Sequence, residues 1–206
     1  MNFLQNGPET APITLLFTHG AGAGMDSDFM DAIADGVGRA GIRVLRFEFP
    51  YMSKQREAGR KYPPNPLAVL QAHFRLALEN VEGPVVVAGK SMGGRVATTI
   101  VEESSARGCV VLGYPFHPPG KPDSLRIEHL NVITKPLLIL QGTKDAFGKQ
   151  SEFSSDWIPS HASIQWMQDG DHSFKTAKKS TSTLEANISA AVQSIVEFCN
   201  TCLAEY

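Results

Sequence analysis

Two rhythms of apolar and polar positions alternate along the chain. Short apolar, β-branched runs recur at 13–18, 42–47, 85–88, 109–112, 137–140 and 163–167. Most are continuous rather than alternating, the pattern of strands buried on both faces of a parallel sheet. Between them, residues 28–40, 66–81, 92–105 and 184–202 repeat apolar positions at helical spacing, the last along Ile188, Val192, Ile195 and Cys199. Asn65 followed by Pro66 is a helix-start signal for the second. This alternation predicts a doubly wound α/β fold in three αβα layers, with a mostly parallel sheet of six or slightly more strands in spatial order 2-1-3-4-5-6. Residues 20–24, 51–65 and 115–122 are expected as loops, each following a strand. In an open sheet of this kind such loops build the site. No repeat or linker divides the chain, so one domain over residues 1–206 is expected, long enough to bury a substantial core.

Charge and cysteine usage narrow the field of partners. Nineteen basic side chains stand against 21 acidic ones, a formal charge of −2, so no global field favours nucleic acid or an anionic membrane surface. The first residues carry no basic segment ahead of an apolar one, and no apolar run approaches the roughly 20 residues of a membrane span. Neither export nor membrane association is expected. Cys109, Cys199 and Cys202 cannot form a complete disulfide framework, which points to a reducing, cytoplasmic setting. Cys199 and Cys202 form a Cys-x-x-Cys pair, but near the end of an apolar-faced helix, where core packing is the expected role. No set of His, Cys and carboxylate residues has metal-ligand spacing, and neither a metal nor a cofactor is expected.

The chemistry-bearing motif is Val85-Val86-Val87-Ala88-Gly89-Lys90-Ser91-Met92-Gly93-Gly94-Arg95, a buried strand, then Gly-x-Ser-x-Gly, then a helical pattern. An isolated five-residue match would mean no more than a serine capping a helix. Flanked by strand and helix, it reads as a nucleophile elbow: the abrupt turn raises Ser91 above the sheet edge at a helix N-terminus, where developing negative charge is favoured. A phosphate loop is the rival, since Gly89-Lys90-Ser91 reproduces its end, but its first glycine would fall on Pro84. The Gly20, Gly22, Gly24 alternation likewise fails the register of a dinucleotide-binding turn.

A serine nucleophile needs a base, and the base needs a carboxylate to orient it. Of the six histidines, His117, His129, His161 and His172 follow Ser91. His172 lies in a polar turn between the last strand and the last helix, where the base is expected. Asp145, just beyond the 137–140 strand, is the expected acid, with Asp169 and Asp171 as alternatives that also read as turn residues. The oxyanion donors are expected to be the backbone N–H groups of Met92 and Ala21. Residues 54–61 carry Lys54, Arg56, Arg60 and Lys61. They read either as a solvated loop or as a site where Arg56 or Arg60 binds a substrate carboxylate or phosphate. His19, Tyr51 and His117 complete the candidate substrate-binding set.

With Thr-His-Gly-Ala-Gly, Gly-Lys-Ser-Met-Gly-Gly-Arg, Gln-Gly-Thr-Lys-Asp and Gly-Asp-His-Ser-Phe in this order, the chain resembles a small α/β-hydrolase-like family. That family includes testis-expressed protein 30 and the non-specific-lethal complex subunit 3. The segment from Phe49-Pro50-Tyr51-Met52 through Arg56, Gly59-Arg60 and Pro63-Pro64 carries the same resemblance. More distantly the chain is similar to dienelactone hydrolases, whose cysteine nucleophile is replaced here by Ser91. The resemblance implies the α/β-hydrolase fold and a serine hydrolase acting on a small-molecule acyl substrate, an ester, thioester or amide. It also admits a catalytically silent scaffold, because some relatives are complex subunits. The connection 113–136 spans about two dozen residues, so any cap is expected to be minimal.

Overall fold

Four segments whose residues are all buried form the centre of the structure: β2 (Thr14–Thr18), β4 (Val85–Lys90), β5 (Gly108–Leu112) and β6 (Leu137–Gly142). Their continuous apolar runs fill both faces at once, which only a sheet covered on each side can satisfy. A computed structural model describes residues 1–204. The remaining strands and α-helices are β1 (Leu4–Asn6), α1 (Asp28–Arg39), β3 (Arg43–Phe47), α2 (Pro50–Ala58), α3 (Leu67–Glu79), α4 (Met92–Ile100), β7 (Ser163–Met167) and α5 (Leu184–Ala204). The sheet runs β1-β3-β2-β4-β5-β6-β7, parallel except for β1, which pairs antiparallel with β3. Its six parallel strands take the order expected from the sequence.

Alternate strand residues feed two cores. Leu16, Phe47, Val87, Val111 and Ile139 pack with Phe74 of α3 and Ile100 of α4. Leu15, Phe17, Val86, Val110 and Leu140 pack with Ile33 and Val37 of α1 and Ile195 and Cys199 of α5. Cys199 and Cys202 are buried in the second core, and burial pushes the Cys199 thiol well above its ordinary value.

The sheet departs from expectation at its margins. β1 is a three-residue edge strand with no apolar run to announce it. The α4 helix stops at Ile100 rather than continuing to 105. The expected 51–65 loop instead opens with α2, whose sequence has almost no apolar periodicity. Its ends carry the helix signals: Pro50 in the first turn and Gly59 at the C-cap with φ 62°, a left-handed conformation that glycine adopts without steric cost. Asn65 does not cap α3. Its Oδ1 accepts a hydrogen bond from the Tyr51 N–H at 2.9 Å and so holds the first turn of α2.

Strand registers bring the site segments level. Thr18 pairs with Gly89 and Lys90 with Leu112, so β2, β4 and β5 end side by side. Gly142 pairs with Met167, which places the chain beyond β6 beside the chain beyond β7.

Candidate active site

Ser91 occupies the turn between β4 and α4 with φ 51° and ψ −114°, a backbone conformation that costs a non-glycine residue about 1–3 kcal/mol. The turn is pinned from both sides: the Ser91 N–H donates to the Leu112 carbonyl at 3.0 Å, and the Ser91 carbonyl accepts from the Arg95 N–H at 2.9 Å. It is also too tight for side chains. A Cβ on Gly89 would lie 2.2 Å from Gly93 C and from Gly94 N, and one on Gly93 would lie 2.4 Å from the His19 carbonyl oxygen. Because the obstructing atoms at Gly89 are backbone, Gly89→Ala is expected to destabilise the fold by about 3 kcal/mol or more, measured as a lowered melting temperature or loss of folded protein.

Three residues from three loops meet here. His172 Nε2 lies 2.8 Å from Ser91 Oγ, and His172 Nδ1 lies 2.7 Å from Asp145 Oδ2. Asp145 is fully buried, and its carboxylate is met by further donors: Gln141 Nε2 reaches Oδ2 at 2.9 Å and the Phe147 N–H reaches Oδ1 at 2.8 Å. With the carboxylate accepting throughout, Nδ1 carries the imidazole proton and Nε2 is left to accept from the serine hydroxyl. The Phe147 ring lies against the imidazole, centroids 4.3 Å apart and 36° from parallel. The two alternative acids are engaged elsewhere. Asp169 pairs with Lys144 and accepts from Ser180, while Asp171 accepts from the N–H groups of Ser173 and Lys175 and so shapes the histidine turn.

A hollow of about 310 Å³ opens over Ser91 and His172, walled by Gly20, Ala21 and Ala23 on one side, Phe29 and Met30 on another, and Phe147. None of its lining comes from the 113–136 connection. Lys90 also lines it: Nζ donates to the His172 carbonyl at 2.6 Å and lies 5.5 Å from the Phe29 ring centroid. Burial lowers the Lys90 ammonium to about 8, against the opposing pull of Asp145 and Asp171.

Ala21 lines the hollow, and Met92 opens α4, where its N–H has no acceptor within the helix. The Ala21 loop is held from behind. His19 Nδ1 lies 2.7 Å from the Gly20 carbonyl, and the Tyr51 hydroxyl lies 3.2 Å from the carbonyls of both Gly20 and Ala21. His19 Nε2 accepts from the Phe49 N–H at 3.1 Å, so Nδ1 is its protonated nitrogen, and burial keeps its pKa below the usual imidazole value. The Gly20 carbonyl and the Ala21 N–H share one trans peptide, so turning the carbonyl toward His19 and Tyr51 turns the N–H away from them.

Of the five candidate substrate-binding residues, none lines this hollow. His19 and Tyr51 instead form the support of the Ala21 loop. His117 is buried between the Pro118 carbonyl and Glu152. Arg56 and Arg60 line a separate hollow of about 400 Å³. Arg56 is matched by two carboxylates, with Asp26 at 2.8 Å and Glu48 at 2.5 Å, and those bonds raise its pKa further. Arg60 bonds the Tyr62 hydroxyl at 2.9 Å and lies 4.9 Å from the Tyr62 ring centroid. A guanidinium already neutralised by two carboxylates has little left to attract a substrate anion.

Sequence reasoning passed over Gln141, Phe147, Phe29 and the side chain of Lys90. Gln141 carried a signal: a polar residue directly after the apolar run 137–140 must find partners once buried. It accepts from the Tyr114 N–H at 2.7 Å and donates to Asp145.

An α/β sheet with an elbow serine at the carboxyl end of β4, facing a histidine and a buried carboxylate, defines a hydrolase-type domain. The chain belongs to the alpha/beta hydrolase domain family, which matches residues 11–200. It is similar in structure to an alpha-beta serine hydrolase homologue from Coxiella burnetii, with TM-score 0.69 and 15% identity over 95% of this chain and 89% of that one. A dienelactone hydrolase from Anabaena variabilis gives 0.70 at 18% identity, covering 94% and 88%. A serine hydrolase without lid from Xanthomonas campestris gives 0.62 at 18%, covering 94% and 86%. At these identities the likeness is one of fold.

Proposed function

We propose that the protein is a serine hydrolase that cleaves an ester, thioester or amide of a small acyl substrate through an acyl-enzyme on Ser91. The observation that carries this reading is the hydrogen-bonded chain from Ser91 Oγ through His172 to buried Asp145. His172 Nε2 takes the hydroxyl proton as Oγ bonds the substrate carbonyl carbon, and gives it to the departing alkoxide, thiolate or amine as the bond from that carbon to the leaving group breaks. Water then attacks the acyl-enzyme, its proton passing to Nε2 and on to Ser91 as the acyl–Oγ bond breaks. The oxyanion of each step is met by the N–H groups of Ala21 and Met92.

The open hollow, with no lining from 113–136, favours small or surface-presented acyl groups. The narrower resemblance to the family of testis-expressed protein 30 agrees with this site but specifies no substrate. The test is labelling with a fluorophosphonate followed by intact mass. One label per chain, abolished in Ser91→Ala and His172→Ala, is expected; a folded, unlabelled wild-type protein would favour a silent scaffold instead.

Tyr51 tests the oxyanion loop separately. Tyr51→Phe removes the hydroxyl that holds the carbonyls of Gly20 and Ala21, a loss of about 1 kcal/mol if the loop relaxes. A roughly fivefold fall in kcat, with KM little changed, is expected in steady-state ester hydrolysis.

A further inference from the structure

The proton relay leaves one charged side chain of the hollow unused. Lys90 is only 8% exposed, and among the described residues no carboxylate oxygen lies within 4.0 Å of its Nζ. Its bond to the His172 carbonyl occupies one of the three donors of an ammonium. Lys90 lines the hollow beside Gly20, where a Cβ would lie 3.6 Å from Lys90 Cγ; its Nζ lies 5.5 Å from the Phe29 ring centroid, beside Gly113, where a Cβ would lie 2.9 Å from it. Holding an ammonium away from water with no carboxylate within ion-pair distance is unfavourable, Asp145 and Asp171 acting only from further off, and methionine would fill the same space without that cost. An anion entering the hollow would complete the pairing.

We propose that Lys90 is a specificity-determining residue, and that the hollow takes acyl substrates whose chain ends in a carboxylate, paired with Lys90 Nζ while the scissile carbonyl sits at Ser91. This rests on the hydrolase reading above. The spacing follows from His172, whose main chain meets Nζ at 2.6 Å and whose ring meets Ser91 Oγ at 2.8 Å. Carboxylate and carbonyl are therefore separated by about the length of one histidine residue, which an acyl chain of a few carbons spans. Recognition of an anion, which the sequence suggested for Arg56 or Arg60, falls instead to a lysine adjacent to the nucleophile and free of acidic partners within ion-pair distance.

The experiment compares kcat/KM for the p-nitrophenyl half-ester of glutaric acid with that for p-nitrophenyl pentanoate, of the same chain length, in wild-type, Lys90→Met and Lys90→Arg protein. A charged hydrogen bond predicts a preference of at least about tenfold for the half-ester in the wild type, lost in Lys90→Met and partly kept in Lys90→Arg. The preference should fade as pH rises through about 8, where Lys90 loses its proton in the presence of Asp145, Asp171 and His172. Glutarate should slow fluorophosphonate labelling of the wild type but not of Lys90→Met. A wild type that is labelled yet cleaves both esters equally overturns the proposal. So does a Lys90→Met that slows both in proportion, which would make Lys90 a positioning residue for His172. A protein that is neither labelled nor active on either ester overturns the hydrolase reading itself, and this one with it.

Discussion

Ser91→Ala and His172→Ala are each expected to lower kcat for ester hydrolysis by about a millionfold, and the double variant by little more. The two groups act as one device: the hydroxyl is a weak nucleophile until Nε2, 2.8 Å away, accepts its proton, and without the hydroxyl the imidazole has no serine nucleophile to activate. Non-additivity is the discriminating feature, because two independent contributions would multiply. The folded state should survive. Alanine at 91 keeps the backbone hydrogen bonds to Leu112 and Arg95, and His172 lies on a turn held by Asp171 rather than by its own ring. Steady-state kinetics of the two single variants and the double variant, alongside thermal unfolding, provide the check. A loss of only tenfold in Ser91→Ala would remove Ser91 from the chemistry.

Asp145→Asn is expected to lower kcat by about ten-thousandfold while leaving substrate binding largely intact. The Asp145 carboxylate accepts hydrogen bonds from His172 Nδ1, Gln141 Nε2 and the Phe147 N–H. An amide at this position must turn its NH₂ toward one of those donors. If it faces Nδ1, the imidazole proton moves to Nε2, and the nitrogen that should accept the serine proton becomes a donor. If it faces the Phe147 N–H, two donors oppose each other in a fully buried place. Asp169→Asn and Asp171→Asn should each leave kcat within about tenfold, since their partners are Lys144, Ser180 and the N–H groups of the histidine turn. A ten-thousandfold loss at 169 or 171 instead would move the acid there.

Much of this arrangement was legible along the chain. Apolar runs longer than a half-buried strand tolerates, separated by helical periodicity, led to the six parallel strands and their order, because burial on both faces leaves a sheet few other arrangements. The order Ser91, Asp145, His172 at three strand ends was read from the Gly-x-Ser-x-Gly turn and the chain order that goes with such an elbow, and in the structure His172 lies within hydrogen-bond reach of both Ser91 and Asp145. What escaped was short or exposed. β1 is three residues at an edge, and α2 is polar around most of its circumference, its identity carried by Pro50 and Gly59 rather than by any apolar face.

The side chains that surround the site could not be assigned from sequence, because their roles depend on which neighbours distant segments deliver. Arg56 read as a free cation only until α2 brought it against Glu48 from the end of β3 and Asp26 from the loop before α1. His19 and Tyr51 read as pocket residues until folding turned them onto the carbonyls behind Ala21. Lys90 read only as the end of a phosphate-loop motif that failed its register, and became a buried charge when a turn 82 residues away closed over it. Hydrophobic periodicity is a local property and therefore determines strands, helices and the strand ends where chemistry can sit. Charge compensation and hydrogen-bond partnership are properties of pairs remote in the chain, and only the tertiary structure decides them.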